Sequence, residues 1–212
     1  MSRPLPTRIF HFTHLSHLLS ISARGLACDA SAQRDRVLQV EVGSRSVKEQ
    51  RRQRPVPIEP GRVIADYVPS YFAPRSPTMF AIHKGNVPEY RGGIDPLIYL
   101  VTTIERLMEL GIDCVFTDGN AATGFTRFSG ALADLDDLID WPLMHERMWR
   151  DTPEDGDRRR RRMAECLASG PVPWAAFVEV AARSDERPRE ATDALATIGV
   201  IADVSIQREW YF

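Results

Sequence analysis

The sequence predicts an α+β fold built around a mostly antiparallel sheet. Short β-prone runs and short helical patterns follow one another without the regular strand–helix alternation of a parallel α/β domain. No Gly-x-Gly-x-x-Gly motif follows the first predicted strand, which argues against a dinucleotide-binding Rossmann domain. No Pro/Ser-rich linker divides the 212 residues convincingly, so we expect one domain over 1–212.

The chain opens with a predicted strand and a predicted helix. Residues 8–13 (RIFHFT) alternate between the two faces of a strand and are rich in β-prone side chains, which predicts a short strand. Leucine and isoleucine at helical spacing predict a helix over 14–24, and Gly25 would end it. The mixed segment 27–43 that follows predicts a loop.

Several prolines end or interrupt the predicted elements in the next part of the chain. The polar segment 47–54 predicts one or two helical turns, and the prolines at 55, 57 and 60 predict extended chain after it. The run 63–72 (VIADYVPSYF) predicts a strand that is interrupted by Pro69. Residues 79–83 predict another short strand.

The second half contains the most apolar predicted strand. Residues 97–102 (LIYLVT) form a continuous apolar run that is typical of a buried strand, and 103–110 predicts a helix ended by Gly111. The remaining elements have weaker patterns, with strands predicted at 114–117, 177–182 and 200–207 and helices at 129–138, 141–149 and 188–197.

The charge of the chain excludes one class of function. With 27 Lys and Arg against 29 Asp and Glu, the formal charge is −2, which excludes a generally basic protein that coats nucleic acid but leaves room for a local basic groove. Residues 1–90 carry 13 basic and 7 acidic side chains, whereas residues 91–212 carry 14 basic and 22 acidic ones. We therefore expect the N-terminal part to be the better candidate for contact with phosphates.

The cysteine, hydrophobicity and histidine patterns bear on the cellular compartment and on binding to membranes and metals. The three cysteines are far apart and odd in number, which supports neither a disulfide framework nor a cysteine zinc site and fits a cytoplasmic protein. No apolar run reaches the roughly 18 residues of a membrane-spanning helix, so no membrane partner is expected. The five histidines form no His-Glu-x-x-His motif, and we expect no metal.

Three groups of residues have the chemistry of a site. On a strand, His11 and Thr13 share one face while Phe12 points to the other, so His11 and Thr13 could bind one polar ligand together. The alternative is a histidine held in the core by its neighbours. The segment 67–77 (YVPSYFAPRSP) holds three prolines and three aromatic rings, and such rigid walls suit stacking on a nicotinamide or a base. A packed turn with Arg75 on a surface carboxylate is the alternative there.

Glu165 is the third candidate, because it follows a run of five arginines at 158–162. In a helix, Glu165 would pair with Arg161 and Arg162 as a solvated ion pair of little energetic value. In a strand, its carboxylate could project into a cleft. The spacing alone leaves both possibilities open.

Several segments together resemble the DarT family of DNA-modifying toxins. They are RIFHFTH at 8–14, VKEQRRQRPVP at 47–57, DYVPSYFAPRSPTMFAI at 66–82, VFTDGNA at 115–121 and RRRRMAECL at 159–167. The resemblance extends over most of the chain, including its length and the final EWYF. It implies the ADP-ribosyltransferase fold, with two small, mostly antiparallel sheets around an NAD cleft and peripheral helices.

The resemblance also implies an activity and its residues. It implies an enzyme that transfers ADP-ribose from NAD to thymine or guanine in single-stranded DNA, which releases nicotinamide and blocks replication. Glu165 would be the catalytic glutamate, and Arg51 would act near both NAD and the base. Arg51 is preferred to Arg52 when counting back from the Val-Pro pair at 56 and 57. The expected NAD contacts are His11, Phe12, Thr13, Ser20, Arg51 and Tyr71.

The substrate side is assigned by position. In this fold the loop before the glutamate usually reads the target, so Asn120 and Arg162, together with Arg75, are the expected substrate contacts. The arginine run could bind phosphates, and stacking on bases is expected from Phe125, Phe128 or Trp149. The implied partners are single-stranded DNA and a macrodomain antitoxin that removes the modification, with the enzyme itself a monomer.

Two alternatives to this function stay open. The same chemistry on RNA would keep His11, Arg51 and Glu165. A non-enzymatic nucleic-acid-binding module, or one of antitoxin type, with a decayed site would lack the activity, but the complete set of catalytic-looking residues disfavours it.

Overall fold

A computed structural model describes residues 2–200 and 204–212. Its strands are β1 Arg8–His14, β2 Tyr67–Tyr71, β3 Leu97–Thr103, β4 Cys114–Thr117, β5 Phe128–Ser129, β6 Glu165–Ser169, β7 Glu179–Ala182 and β8 Val204–Ile206. Its α-helices are α1 Leu18–Arg24, α2 Asp29–Arg34, α3 Arg45–Gln53, α4 Pro77–His83, α5 Ile104–Glu109, α6 Leu135–Leu138, α7 Trp141–His145, α8 Arg158–Arg161 and α9 Glu186–Ala196. Short 3₁₀ turns connect several of them.

The strands form one mixed sheet of eight strands rather than the two small sheets that the resemblance implies. The order is β5-β4-β6-β2-β1-β3-β7-β8, and all neighbours are antiparallel except β7 and β8. The two halves meet where β1 pairs with β2, and this pairing is at one position, Phe10 opposite Tyr71. The predicted two sheets are therefore halves of one sheet that are joined by a short bridge.

The short bridge opens a gap in the sheet. β1 pairs with β3 along its whole length, from Arg8 opposite Thr103 to His14 opposite Leu97. β2 pairs with β6 along its whole length in the same way. Because β1 and β2 pair so briefly, the C-terminal half of β1 has a free edge, and His11, Phe12 and Thr13 line a cleft there.

Helix α4 corrects one predicted strand. Residues 79–83 lie in this helix because Ser76 caps its first turn, with its hydroxyl accepting a hydrogen bond from the Met79 N–H at 3.2 Å. Pro77 follows as the first helical residue, where its missing N–H costs nothing. The Ser-Pro pair is thus a helix start, although the apolar run that follows it looks β-prone.

Most other predicted elements are present with shifted ends. α1 ends at Gly25, whose φ of 82° is the left-handed conformation that glycine tolerates. The segment predicted as a loop, 27–43, contains the short helix α2. The last predicted strand, 200–207, is described as β8 over Val204–Ile206, and its residues 201–203 lie outside the described part of the chain.

The core lies on both faces of the sheet. β3 is buried at all seven positions, as its continuous apolar run predicts. The largest apolar cluster joins Trp141 of α7 to Phe72 and Phe116 on one side of the sheet. In the described ranges, 2–200 and 204–212, no helix combines the length and apolar character needed to cross a membrane.

Candidate active site

A cleft of about 1040 Å³ lies where β1 and β2 diverge. Its walls include β1, the loop after α1, helix α3 and the loop that follows β4. The side chains predicted to hold NAD all lie along it, namely His11, Phe12, Thr13, Ser20, Arg51 and Tyr71. Asn120, predicted on the substrate side, lines it too.

The carboxylate of Glu165 lies beneath this cleft, covered by Arg51. Arg51 Nη1 and Nη2 both lie 2.9 Å from Glu165 Oε2, and Nη1 is also 3.1 Å from Oε1. The side chain of Glu165 is 1% exposed and that of Arg51 is 13% exposed. Such a forked, charge-assisted pair compensates a buried carboxylate that would otherwise be costly to ionise.

The chain around Glu165 fixes the carboxylate further. Glu165 is the first residue of β6 and stands opposite Tyr71 of β2, so the strand alternative from the sequence is correct. The Ala121 N–H donates to Glu165 Oε1 at 3.2 Å. The Thr117 hydroxyl accepts from the Glu165 N–H at 3.0 Å and donates to the Gly119 carbonyl at 2.7 Å.

Helix α3 presents Arg51 rather than Arg52 to Glu165. Arg52 turns to Asp29 and Glu49, at 3.3 and 3.1 Å. Lys48, on the same helix, forms ion pairs with Asp29 and Glu41. α3 has no buried residues, so these ion pairs and the Arg51–Glu165 pair are what hold the helix against the cleft.

His11 is held as a neutral hydrogen-bond acceptor. Its Nδ1 lies 2.7 Å from the Pro69 carbonyl, which can only accept, so Nδ1 carries the proton. Burial, and secondarily the nearby charge of Arg51, lowers the pKa of His11 below its ordinary value. The remaining ring nitrogen, Nε2, therefore keeps a lone pair that can accept a hydrogen bond from a hydroxyl in the cleft.

Thr13 is oriented by His17 in a similar way. His17 Nε2 accepts from the backbone N–H groups of Gln39 and Val40 at 3.2 and 3.1 Å, so its proton is on Nδ1. That Nδ1–H donates to Thr13 Oγ1 at 3.0 Å, which leaves the hydroxyl proton of Thr13 free to donate. Burial, with help from neighbouring His14 and His11, lowers the pKa of His17 to about 4.

Phe12 and Tyr71 form an aromatic wall. Their rings lie nearly parallel, at 15° with centroids 6.4 Å apart, on the two strands that border the cleft. The Tyr71 hydroxyl lies 2.9 Å from Thr78 Oγ1 of α4. Burial and the nearby charge of Glu165 raise the pKa of Tyr71 to about 12, so this phenol is neutral.

Two predicted substrate contacts, Arg75 and Arg162, do not line this cleft. The Arg75 guanidinium bonds to the Tyr211 carbonyl and stacks over Phe212, with 4.1 Å to the ring centroid. Arg162 is 2% exposed, and its N–H groups bond to the carbonyls of Leu143, Met144, Glu146 and Pro74 at 2.6–3.0 Å. Its Nη1 and Nη2 donors are thus committed to the protein backbone.

The three aromatic rings expected to stack on bases also differ from one another in their exposure. Trp149 is 9% exposed and donates from Nε1 to the Arg75 carbonyl at 2.7 Å, so it is part of the core. Phe128 packs against a buried cluster beneath Arg54. Phe125 is 71% exposed on the loop after β4, with the Arg160 guanidinium 5.3 Å from its ring centroid.

The arginine run supports the segment before Glu165 instead of forming a free basic surface. Arg160 pairs with Asp118 and Asp157, at 3.0 and 2.8 Å, and Arg161 pairs with Asp140 and Asp155, at 2.9 and 2.7 Å. Arg158 pairs with Glu146. Arg159 differs, because it is exposed, lines the cleft and has no side-chain partner among the described residues.

Sequence reasoning missed Met163 and Thr117, and it included Arg159 only as one member of the arginine run. Arg159 and Met163 line the cleft, and Thr117 holds the backbone of Glu165. The acidic residues at 140, 155 and 157 are a signal that most of the arginines are paired. Nothing in the sequence singles out Arg159 among its neighbours.

Comparisons with known proteins give matches over most of the chain. The family model described as "ssDNA thymidine ADP-ribosyltransferase, DarT" matches residues 10–212. A DNA ADP-ribosyl transferase of Thermus sp. (strain 2.9) is 34% identical over 213 residues, which is 99% of this chain and 98% of that protein. A fusion of a DNA ADP-ribosyl transferase with a DNA ADP-ribosyl glycohydrolase, from Thermosipho africanus, is 25% identical over 75% of this chain and 38% of its own length.

Solved structures are similar over the full length. Thermus sp. 2.9 DarT in complex with ADP-ribosylated ssDNA superposes with a TM-score of 0.91 at 32% identity, covering 100% of this chain and 99% of that one. The same protein in complex with NAD⁺ has a TM-score of 0.88 at 32% identity, covering all of both chains.

Proposed function

The chain belongs to the DarT family of NAD-dependent DNA ADP-ribosyltransferases, and we propose that it modifies thymine with the residues of the cleft between β1 and β2. The activity on single-stranded DNA follows from the family. The choice of thymine rests on the description of the family model. The roles of individual residues rest on the buried Glu165–Arg51 pair beneath the cleft, which is the observation that carries the proposal.

The residues of the cleft fit NAD. A volume of about 1040 Å³ is large enough for a dinucleotide, since pockets for drug-sized ligands measure roughly 300–1,000 Å³. The Phe12–Tyr71 wall offers a flat apolar face to nicotinamide. His11 Nε2 accepts a hydrogen bond, and the hydroxyls of Thr13 and Ser20 can donate to the ribose or the amide.

When bound, NAD supplies the ADP-ribosyl group: its bond between ribose carbon and nicotinamide nitrogen breaks, nicotinamide leaves, and a bond to a ring nitrogen of the base forms as that nitrogen loses its proton to solvent water. Positive charge develops on the ribose as the first bond breaks. Glu165 is the anion that stabilises this charge by binding the ribose 2′-hydroxyl. A fixed electrostatic group of this kind contributes about 10²–10³-fold to a rate.

Arg51 has two roles in this proposal. Before the substrate binds, its guanidinium compensates the charge of buried Glu165. When a ribose hydroxyl donates a hydrogen bond to Glu165, it replaces at least one of the hydrogen bonds that the Arg51 N–H groups donate. The freed donor can then orient the base and stabilise the anion that the base forms on losing its proton. A guanidinium stays protonated, so Arg51 is not the general base.

The single-stranded substrate approaches from the loop after β4. A base inside a duplex cannot reach the cleft, so an unpaired strand is needed. Asn120 and Arg159 line the cleft on this side, and exposed Phe125 lies on the same loop. We assign Arg159 to a phosphate and Phe125 to stacking on a neighbouring base.

The biological setting is a toxin with an antitoxin. ADP-ribose on template bases blocks replication, so a cell that makes the enzyme needs a protein that removes the mark. The Thermosipho africanus fusion joins transferase and glycohydrolase in one chain, which supports a macrodomain-type hydrolase as the partner of this enzyme. We assign the transferase a monomeric state and a single domain.

Mass spectrometry of oligonucleotides after incubation with NAD tests the proposal. We expect ADP-ribose on a single-stranded DNA that contains one thymine. A matched DNA with guanine in its place, a matched RNA and the duplex should gain none. The Glu165→Gln variant is the isosteric control and should modify nothing. Modification of the guanine strand or of the RNA would contradict the thymine assignment, and transfer by Glu165→Gln would contradict the role of the carboxylate.

A further inference from the structure

A second concave surface lies apart from the cleft, on the side of the molecule that carries α4, the corner before α9 and the last residues of the chain. It is a pocket of about 490 Å³ whose lining includes the four arginines Arg75, Arg147, Arg183 and Arg208. We call it the arginine pocket. None of these arginines lines the cleft that contains the NAD-binding residues.

Positive charge exceeds negative charge in the arginine pocket. Arg208 pairs with Asp185 at 2.6 Å, and Arg183 lies 3.9 Å from Asp95, which Arg187 already contacts at 2.9 Å. Arg147 is exposed and has no ion-pair partner among residues 2–200 and 204–212. Burial, and secondarily the charge of Arg147, lowers the pKa of Arg75. Guanidinium groups that crowd one another in this way attract an anion.

The backbone of Arg75 is held in an unfavourable conformation. Its φ of 55° is in the left-handed region, which costs free energy for a residue with a side chain. The Arg75 N–H donates to the Tyr99 hydroxyl at 3.3 Å, and its carbonyl accepts from Trp149 Nε1 at 2.7 Å. These two buried rings fix the conformation that directs the guanidinium over Phe212, into the arginine pocket.

Two polar atoms of the lining lack a partner. Arg75 Nε and Ser184 Oγ are buried and make no hydrogen bond within the described residues. Buried donors without partners are uncommon in folded proteins, and an anion bound at this point would supply an acceptor. Arginine forks match the geometry of phosphate oxygens.

We propose that the arginine pocket binds a backbone phosphate of the single-stranded substrate, a few nucleotides from the base that is modified. This inference rests on the proposed function, because it takes the DNA substrate as the source of the phosphate. Arg75 is four residues after Tyr71, so their Cα atoms are at most about 14 Å apart. That separation is within the reach of a few nucleotides of single-stranded DNA.

The test measures the contribution of the flanking phosphates to binding separately from that of the target base. The variant is Arg147→Glu, and the matched control is Arg91→Glu, at an arginine that is also exposed and lines neither concavity. The probes share one target thymine and are strands of about 6 and about 20 nucleotides, the longer with abasic flanks that keep the phosphates. A third probe carries uncharged methylphosphonate flanks. Anisotropy without NAD gives Kd, and initial rates give KM and kcat.

We expect the wild type to bind the long strand more tightly than the short one. Arg147→Glu should weaken binding of the long strand about tenfold, as loss of one phosphate contact with reversed charge can do. Its KM for that strand should rise with kcat unchanged, and its salt slope should fall by about 1. The short strand, the strand with neutral flanks and the Arg91→Glu control should change less than about twofold.

Equal losses on short and long strands, or equal losses in Arg147→Glu and Arg91→Glu, would overturn the proposal. So would a wild type that gains nothing from charged flanks, and an acidic protein partner would then be the better occupant of the pocket. Failure of the proposed function gives a different result. In that case the long strand is bound in a way that depends on Arg147, but no thymine is modified.

Discussion

Two arginine-bearing helices lie near Glu165, and they differ in what they do with their charge. α8 ends four residues before Glu165, yet the guanidinium groups of Arg158, Arg160 and Arg161 pair with other carboxylates. α3 lies more than a hundred residues away in sequence, and its Arg51 forms the forked pair with Glu165. Closeness along the chain therefore does not identify the arginine that pairs with the buried carboxylate of Glu165.

The two helices therefore differ in role: α8 stabilises the structure before β6, and α3 places a charged group beside Glu165. α8 joins Asp118, Asp140, Asp155 and Asp157 into an ion-pair network that fixes the segment leading into β6. α3 has no buried residues, and its ion pairs hold one arginine over a buried acid. Substitution of Arg51 should therefore alter catalysis as well as stability, whereas substitution of Arg160, Arg161 or Arg162 should alter stability alone.

The largest effect is expected from Arg51→Ala. This change leaves Glu165 buried without its counter-charge, which costs about 3–5 kcal/mol in the free energy of unfolding. Transfer of ADP-ribose should also fall below detection. Arg52→Ala, on the same helix, removes only half-exposed ion pairs and should cost at most about 1 kcal/mol. Urea denaturation and oligonucleotide modification measure both effects.

A double variant sharpens this prediction. Adding Glu165→Gln to Arg51→Ala removes the uncompensated charge, so stability should partly recover while activity stays absent. If Arg51→Ala and Arg52→Ala were equally stable and equally active, the contrast between the two neighbours would be wrong.

Arg162→Met should give the next largest effect. The four carbonyl groups that bond to the guanidinium lose their donors inside the protein, which costs about 2–4 kcal/mol in stability. Arg159→Met, three residues earlier, should change stability by less than about 0.5 kcal/mol and instead raise the KM for DNA. The reverse pattern, with Arg159 needed for folding and Arg162 for binding, would contradict the proposed division within the run.

Much of this arrangement could be predicted from the sequence, for local reasons. The alternating run 8–13 and the apolar run 97–102 each define a strand without reference to the rest of the chain. The position of Arg51, and of the NAD-side residues, came from the resemblance to a family rather than from spacing. Helix α4 was missed because Ser76 and Pro77 outweigh the β-prone residues after them.

What could not be predicted depends on long-range contacts. The burial of Arg162 requires Pro74 and the end of α7 to converge on it, and these are 88 and 16–19 residues away. The joining of two half-sheets depends on the single position at which Phe10 meets Tyr71. Neither feature has a local sequence signal.

Acid should remove the stability contributed by residues near α3 and by residues near α8 over different pH ranges. On the α3 side, His17 has a pKa of about 4 in the folded protein, against about 6.5 when unfolded. Its contribution to stability is therefore present above about pH 6.5 and is lost between about pH 6.5 and 4, up to about 3 kcal/mol. On the α8 side, Arg161 lowers the pKa of Asp155 to about 2, so that contribution is lost only below about pH 4.

Denaturation curves between about pH 2 and 8, a range that contains both pKa values, measure the separation. His17→Asn, which can still accept a hydrogen bond, should flatten the pH dependence between about pH 6.5 and 4. Asp155→Asn should leave the pH dependence of stability in that range unchanged. His11 and His14 also have lowered pKa values and will keep part of the slope in the His17 variant. An unchanged slope in His17→Asn would contradict the neutral state of this ring.

The smallest effect is expected from Phe125→Ala, which tests the point at which the α8 side meets the substrate. Phe125 is 71% exposed and lies beside Arg160, so its removal should leave stability within about 0.5 kcal/mol of the wild type. If the ring stacks on a base, the KM for single-stranded DNA should rise about fivefold, as loss of about 1 kcal/mol of stacking predicts. Phe125→Trp should retain the affinity because a larger ring also stacks. Equal KM values for all three proteins would show that the Phe125 ring does not stack on the DNA, and contact with DNA on this side would then fall to Arg159.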